Sequence, residues 1–292
     1  MWVTQRRVGI FQVLLSGFCF GFLGVLGKSA YQKGLTPGEL LSLRFTIGGV
    51  LLALGYAVRN PERLRLTRRQ LASCAWLGVL GYAVFSSCFF QALTGLSVSL
   101  TVLLLYTYPV MVALGAWMLF GERMAKGRWS ALPIVMVGLV LLVWGDMQVS
   151  KPVSLMFGIA SAVFYSAYIL ASSRWLKGVD AGAAAVYIQL SAGLALGAVH
   201  LRNPERVGEI LVVAWPTLLA IALVCSVAAM SLFLAGLQKL KSWEVSILST
   251  AEPVTGIGLA VLLMGERLTA MQGAGAALVL AAFLLVAWPS KG

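Results

Sequence analysis

The sequence predicts an all-α polytopic membrane protein: ten transmembrane helices in two inverted five-helix repeats, with the N- and C-termini cytoplasmic. Three observations carry this reading. Of the 292 residues, 60% are hydrophobic and 11% charged, with a mean hydropathy of +0.92, whereas a water-facing surface carries roughly a quarter to a third charged residues. One motif is written twice. Tyr106-Thr107-Tyr108-Pro109 leads to Gly121-Glu122-Arg123, and Thr250-Ala251-Glu252-Pro253 leads to Gly265-Glu266-Arg267, with both prolines and both glycines 144 residues apart. Lysine and arginine, finally, crowd every second loop, as the retention of positive charge on the cytoplasmic side requires.

A spanning helix needs about 20 mainly apolar residues. Such stretches, divided by Gly, Pro and charge clusters, run over 9–31, 39–58, 70–91, 97–120, 128–145, 152–174, 182–200, 212–236, 243–264 and 269–288. The first follows Arg6-Arg7 like a signal peptide, but its length and the lack of an Ala-x-Ala site make it a retained span. Between the third and fourth, Gln91-Ala92-Leu93-Thr94-Gly95 is a weak loop, and without it the count is nine. The break near residue 146 leaves five spans on either side, so 1–147 and 148–292 form the two repeats. A further echo, Arg59-Asn60-Pro61-Glu62-Arg63 against Arg202-Asn203-Pro204-Glu205-Arg206, falls one residue out of step.

With the N-terminus inside, 15 lysines and arginines fall in inside segments, the run from Arg59 to Arg69 foremost, and 5 outside: Lys33, Lys151, Arg202, Arg206 and Arg267. An odd number of spans per repeat makes the second copy enter the membrane from the opposite side. The loop charges agree, since Glu205 and Glu209 balance the two arginines of the outside loop that echoes the basic inside one. Inverted repeats are typical of alternating-access carriers, whose central site opens to either side. The net charge of +12 is therefore a topology signal, and no nucleic-acid partner is expected, because no soluble domain exists to dock one.

Along the chain, Gly17, Gly21, Gly24 and Gly27 recur at helical spacing in span one and allow close approach of a neighbour, for sliding or for plain packing. Lys28, Glu39 and Arg44 cluster at the outside ends of spans one and two, where Glu39 staples the hairpin through either base, or Lys28 or Arg44 receives a carboxylate. Cys19, Cys74, Cys88 and Cys225 lie in apolar spans without metal-ligand spacing. Tyr82, Phe85 and Phe89 share one helix face. Pro109 and Pro253 each remove a helix hydrogen bond and free the carbonyl four residues back, of Leu105 and Ser249, which makes a gating hinge or a simple kink. Glu252 is a carboxylate inside a span, a place where charge faces a cavity or a partner; it binds an ammonium, carries a proton, or pairs structurally. Trp2, Trp76, Trp129, Trp144, Trp175, Trp215, Trp243 and Trp288 stand near span ends as interfacial anchors.

A proline in a span followed by Gly-Glu-Arg at its far end, in both halves of a chain with five plus five spans, resembles the drug/metabolite transporter superfamily in its EamA-type exporter branch. The likeness covers essentially the whole chain. Tyr106-Thr107-Tyr108-Pro109 and the many aromatics are similar to features of the bacterial exporters of aromatic and other neutral amino acids. The resemblance implies a protein of the bacterial cytoplasmic (inner) membrane. It also implies a basket of helices in which the first, third and fourth spans of each repeat line a central cavity and the fifth is peripheral. Tyr108 standing where the second copy has Glu252 departs from a symmetric Glu-Pro pair.

The resulting expectation is a secondary exporter of small metabolites, foremost aromatic and other neutral amino acids, with multidrug or lipophilic-cation efflux as the alternative. Phe20, Tyr82, Phe85, Tyr106, Tyr108, Phe164 and Tyr168 contact the solute side chain, for each of which lipid contact or packing is the competing role. Ser246, Ser249 and Glu252 supply polar recognition. A membrane-embedded enzyme is disfavoured by the lack of His-Glu-x-x-His and Gly-x-Ser-x-Gly, and direct ATP drive by the lack of a Gly-x-x-x-x-Gly-Lys-Ser/Thr loop. A structural protein without flux is the remaining class. No cofactor or metal is expected; the partners are the solute and the bilayer, and the oligomeric state is left open, a monomer included.

Overall fold

In a bilayer core every backbone N–H and C=O must be satisfied within the protein, which leaves the helix as the economical solution for apolar runs. A computed structural model of the chain describes residues 2–145, 147–265 and 267–288, apart from the side chains of Trp2, Val3, Lys126 and Met264. Glu266 of the second Gly-Glu-Arg, Lys291 and the anchoring role of Trp2 thus lie outside the described residues. The helices are α1 Trp2–Gln32, α2 Pro37–Arg59, α3 Arg68–Leu93, α4 Val98–Phe120, α5 Ala131–Leu142, α6 Val153–Trp175, α7 Ala181–His200, α8 Pro204–Leu237, α9 Ser242–Leu263 and α10 Ala270–Ala287. Among the described residues, nine helices are long and apolar enough to cross a membrane, while α5 has only 12 residues. The chain is an integral membrane protein.

Local chemistry sets the ends. Thr36 and Glu39 close a capping box around Pro37 at the start of α2, as do Thr67 with Gln70 at α3 and Thr269 with Gln272 at α10. Gly121 and Gly265 end α4 and α9 with φ of 64° and 69°, a left-handed conformation that glycine adopts without a Cβ penalty. Two boundaries differ from the sequence reading. The expected outside loop through Glu209 is already helix, because Asn203 caps the N–H groups of Glu205 and Arg206 and Pro204 opens the first turn. The fifth apolar stretch gives up its start to a 3-10 turn at Lys126–Arg128 and is helical only from Ala131. Between α3 and α4 the weak loop is real: Ser97 caps α4, and Leu96 bridges to Val149.

Two kinds of interruption occur in both halves. Leu77–Ala83 in α3 and Ala222–Ala228 in α8 are π-helical. In addition, α4 breaks at Tyr106-Thr107 and α9 at Ser249-Thr250, each break just before a proline, where the missing N–H and ring bulk disfavour continuation. From the break to the proline is one residue farther in α9, and Glu252 stands just before Pro253 where α4 has Tyr108 before Pro109.

The packing follows an exchange rule. Helix α1 lies on α8 and α9, and α6 lies on α3 and α4; α2 meets α7 and α8, and α7 meets α2 and α3; α5 packs on α10, and α4 on α9. Swapping the first five helices for the last five maps each of these pairings onto itself or onto another of the set. Where α5 crosses α10, Gly138 and Gly275 bring the backbones together, and a Cβ at Gly275 would lie 2.6 Å from the Gly138 carbonyl oxygen.

Candidate functional site

A cavity of about 340 Å³ lies among α1, α2, α3, α4, α6 and α9. Its lining extends from Tyr31, Leu40, Leu93 and Val98, at the helix ends beside the 33–36 and 94–97 loops, to Tyr106, Tyr108 and Glu252 at the helix breaks. One wall is aromatic. Tyr82 meets Phe45 at 4.9 Å and Phe85 at 5.1 Å between ring centroids, Phe85 meets Tyr165 at 4.8 Å, Tyr165 meets Tyr108 at 4.8 Å, and Tyr108 meets Tyr106 at 6.0 Å. These edge-on and tilted contacts are the favoured aromatic geometries, so the lining rings form one continuous surface drawn from α3, α4 and α6, backed by the buried Phe45 of α2. Glu252 and Arg44 bring the formal charges to the lining.

Of the expected site residues, Phe20, Tyr82, Phe85, Tyr106, Tyr108 and Glu252 line this cavity. Tyr168 does not; it is buried behind the wall, 5.3 Å from Tyr82. Phe164 is exposed on the outer face of α6, and Tyr165, one residue and about 100° further round the helix, takes the inward place. Ser246 and Ser249 are buried, with hydroxyls donated to the Trp243 and Val245 carbonyls of their own helix. The Ser249 carbonyl is not free either, since it accepts the Glu252 N–H at 3.1 Å. Pro109 and Pro253 fall in the first turn after each break.

The glycine stripe of α1 has two uses. A Cβ at Gly17 would lie 2.9 Å from that of Ala251, and one at Gly21 2.6 Å from that of Thr255, so these two glycines admit α9. Gly24 and Gly27 open onto the cavity instead.

Arg44 is the residue that sequence reasoning placed wrongly. Glu39 accepts from Arg206 Nε at 3.3 Å and so ties α2 to α8, and no ion pair joins it to Arg44 among the described residues. Arg44 is 3% exposed, packs over the Phe45 ring at 4.5 Å, and has no hydrogen-bond partner for Nε and Nη1.

At the other end of the molecule the helices are clamped. Glu244 accepts from Arg6 Nη2 at 2.8 Å and Arg128 Nη1 at 3.5 Å, and Arg6 also donates to the carbonyls of Val286 and Ala287. Burial lowers the Arg128 pKa from its ordinary value, the Arg6 charge adding to this and Glu244 opposing it. Glu122 of the first Gly-Glu-Arg accepts from Arg174 at 3.2 Å and from the Ser242 N–H at 3.1 Å, joining α4, α6 and α9. Trp243, expected at the interface, is buried beneath Arg128.

The sequence profile of the EamA-like transporter family matches residues 7–144 and again residues 153–288. The chain belongs to the EamA-like transporter family. Other transporters resemble it along their length: an "Uncharacterized transporter" of Archaeoglobus fulgidus is 27% identical over 99% of both chains. A Salmonella typhimurium protein named "Probable amino-acid metabolite efflux pump" is 25% identical over 58% of this chain and 60% of its own. A solved crystal structure superposes with a TM-score of 0.80 at 20% identity, covering 97% of this chain and 96% of that one, a likeness of fold. As a member of the EamA-like family the protein is a transporter, with a small-molecule substrate and the bilayer as its surroundings.

Proposed function

We propose that this transporter is a secondary exporter of small metabolites, foremost aromatic and other neutral amino acids, working by alternating access in the bacterial inner membrane. The observation that carries the reading is the cavity itself: an aromatic wall with a carboxylate at its inner end, reaching one face while ion pairs clamp the other. A rigid aromatic surface suits a flat apolar side chain, and Glu252 offers an acceptor for an ammonium. The transporter carries out no bond chemistry in this reading.

Ten spans, with α5 as a short tenth, two inverted repeats over 1–147 and 148–292, and cytoplasmic termini complete the proposal. Support comes from the exchange rule in the packing, from the family profile matching twice, and from the paired π-helical segments and helix breaks. With that orientation the Arg6–Glu244–Arg128 clamp closes the cytoplasmic face and the cavity opens outward. Rearrangement at the breaks before Pro109 and Pro253 would exchange the two states.

The test is protection of the purified transporter against thermal unfolding by a panel of amino acids, quaternary cations and sugar phosphates. Stabilisation by aromatic and neutral amino acids supports the proposal. A response confined to lipophilic cations would replace it with multidrug efflux.

A further inference from the structure

Arg44 stands on α2, eight residues into a helix that begins at Pro37, in the wall of the cavity that also holds Glu252. A guanidinium cannot shed its proton, and a buried cation without a direct ion pair is a costly arrangement in a protein, even with the Glu252 carboxylate near enough to act on Arg44 through space. Its near-complete burial at 3% exposure therefore needs an explanation. Phe45 covers one face of the guanidinium plane at 4.5 Å, but a ring face cannot accept the in-plane N–H groups. Nε and Nη1 remain without a protein partner. No ion pair joins Arg44 to Glu39 or to Glu252 among the described residues; Glu39 is engaged by Arg206.

We propose that Arg44 is the anchor for the carboxylate of the transported solute, so that the site selects molecules carrying both a carboxylate and an ammonium. This rests on the exporter reading of the same cavity. Arginine matches a carboxylate through its planar fork of donors, while Glu252, on the same lining, takes the ammonium. The ring wall from Tyr82 to Tyr106 takes the side chain. Opposite charges on one small cavity suit a zwitterion, whereas a lipophilic cation would meet Arg44 as a like charge in a poorly screened place. A solute deprived of its carboxylate leaves the guanidinium without that acceptor, and a site built around a buried donor rejects the analogue lacking its partner.

The experiment compares L-phenylalanine with L-phenylalaninamide, which keeps the ring and ammonium and loses the carboxylate. Thermal protection and uptake into liposomes are measured on the full-length wild type, Arg44→Gln and Arg44→Lys. Wild type is expected to be protected by phenylalanine at concentrations at least tenfold lower than by the amide. Arg44→Gln is expected to lose that discrimination, and Arg44→Lys to retain part of it. Equal protection of wild type by acid and amide would overturn the anchor while leaving the exporter reading intact if both compounds are transported. If neither compound binds or moves, the amino-acid reading fails and the anchor with it. Should Arg44→Gln not fold, the acid-to-amide comparison on wild type decides alone.

Discussion

Arg6 and Glu244 stand 238 residues apart in the sequence and 2.8 Å apart in the structure. With Arg128 on the same carboxylate oxygen, they bind the starts of α1 and α9 and the turn before α5 into one closed end. Glu244→Ala removes the shared counter-charge and leaves two largely buried arginines facing each other. Breaking such a pair costs about 3–5 kcal/mol, so the variant should unfold at a clearly lower temperature in detergent. A melting temperature equal to that of the wild type would mean that the clamp contributes nothing to closure.

Tyr106 is 6% exposed and ends the ring series at the break in α4. Its truncation to alanine removes part of a cavity wall while the backbone N–H that ends the helix on the Val102 carbonyl stays in place. Tyr106→Ala is expected to insert and to elute as the wild type while transport falls by about tenfold, the equivalent of about 1.4 kcal/mol. Unchanged flux would remove Tyr106 from the site.

Two glycines of one stripe should behave oppositely. Gly21→Ala drives a methyl against Thr255 and the Gly256 N–H on α9, whereas Gly24→Ala meets nothing within 4 Å. Overpacking of a tight contact costs about 1–3 kcal/mol. Thermal unfolding should therefore show Gly21→Ala destabilised and Gly24→Ala unchanged; equal melting temperatures for the two would contradict the close α1–α9 contact.

Asp180 caps α7 outside the spans. Burial raises its carboxyl pKa, but the Tyr56 hydroxyl at 2.7 Å, the Ala183 and Gly182 N–H groups and Arg63 outweigh burial and hold it below the ordinary value. A depressed carboxyl contributes stability above its unfolded value of about 4, and that contribution is lost as pH falls through the lower folded value. Melting temperature against pH should thus decline on the acid side more steeply in wild type than in Asp180→Asn. Parallel curves would show that the cap carries no such linkage.

The fold was legible because a bilayer leaves a chain few choices. Long apolar runs must be helices, and the registered Pro to Gly-Glu-Arg motif marks the two places where a helix breaks and ends alike. Which side of a helix faces inward was much less legible. In α6 every side is apolar, so no polar stripe separates Phe164 from Tyr165, and a single step reverses cavity and lipid. Trp243 carries the composition of an interfacial anchor, and only the arginine brought over it by tertiary packing makes it a core residue. Arg44 gave a signal, an arginine within an apolar run. Its proximity in sequence to Glu39 suggested a pair that Arg206, distant in sequence, takes instead.

Counterflow of labelled phenylalanine through liposomes holding the purified protein reads the exchange of solute through the cavity itself. Uptake driven by unlabelled phenylalanine on the far side is expected, with Glu252→Gln at least about tenfold slower for want of the charge-assisted contact, worth about 1.5–3 kcal/mol, and with its pH dependence flattened. Full, pH-dependent activity in Glu252→Gln would exclude both roles of that carboxylate. No counterflow of phenylalanine or any other neutral amino acid by the intact wild type would rule out amino-acid export through this cavity.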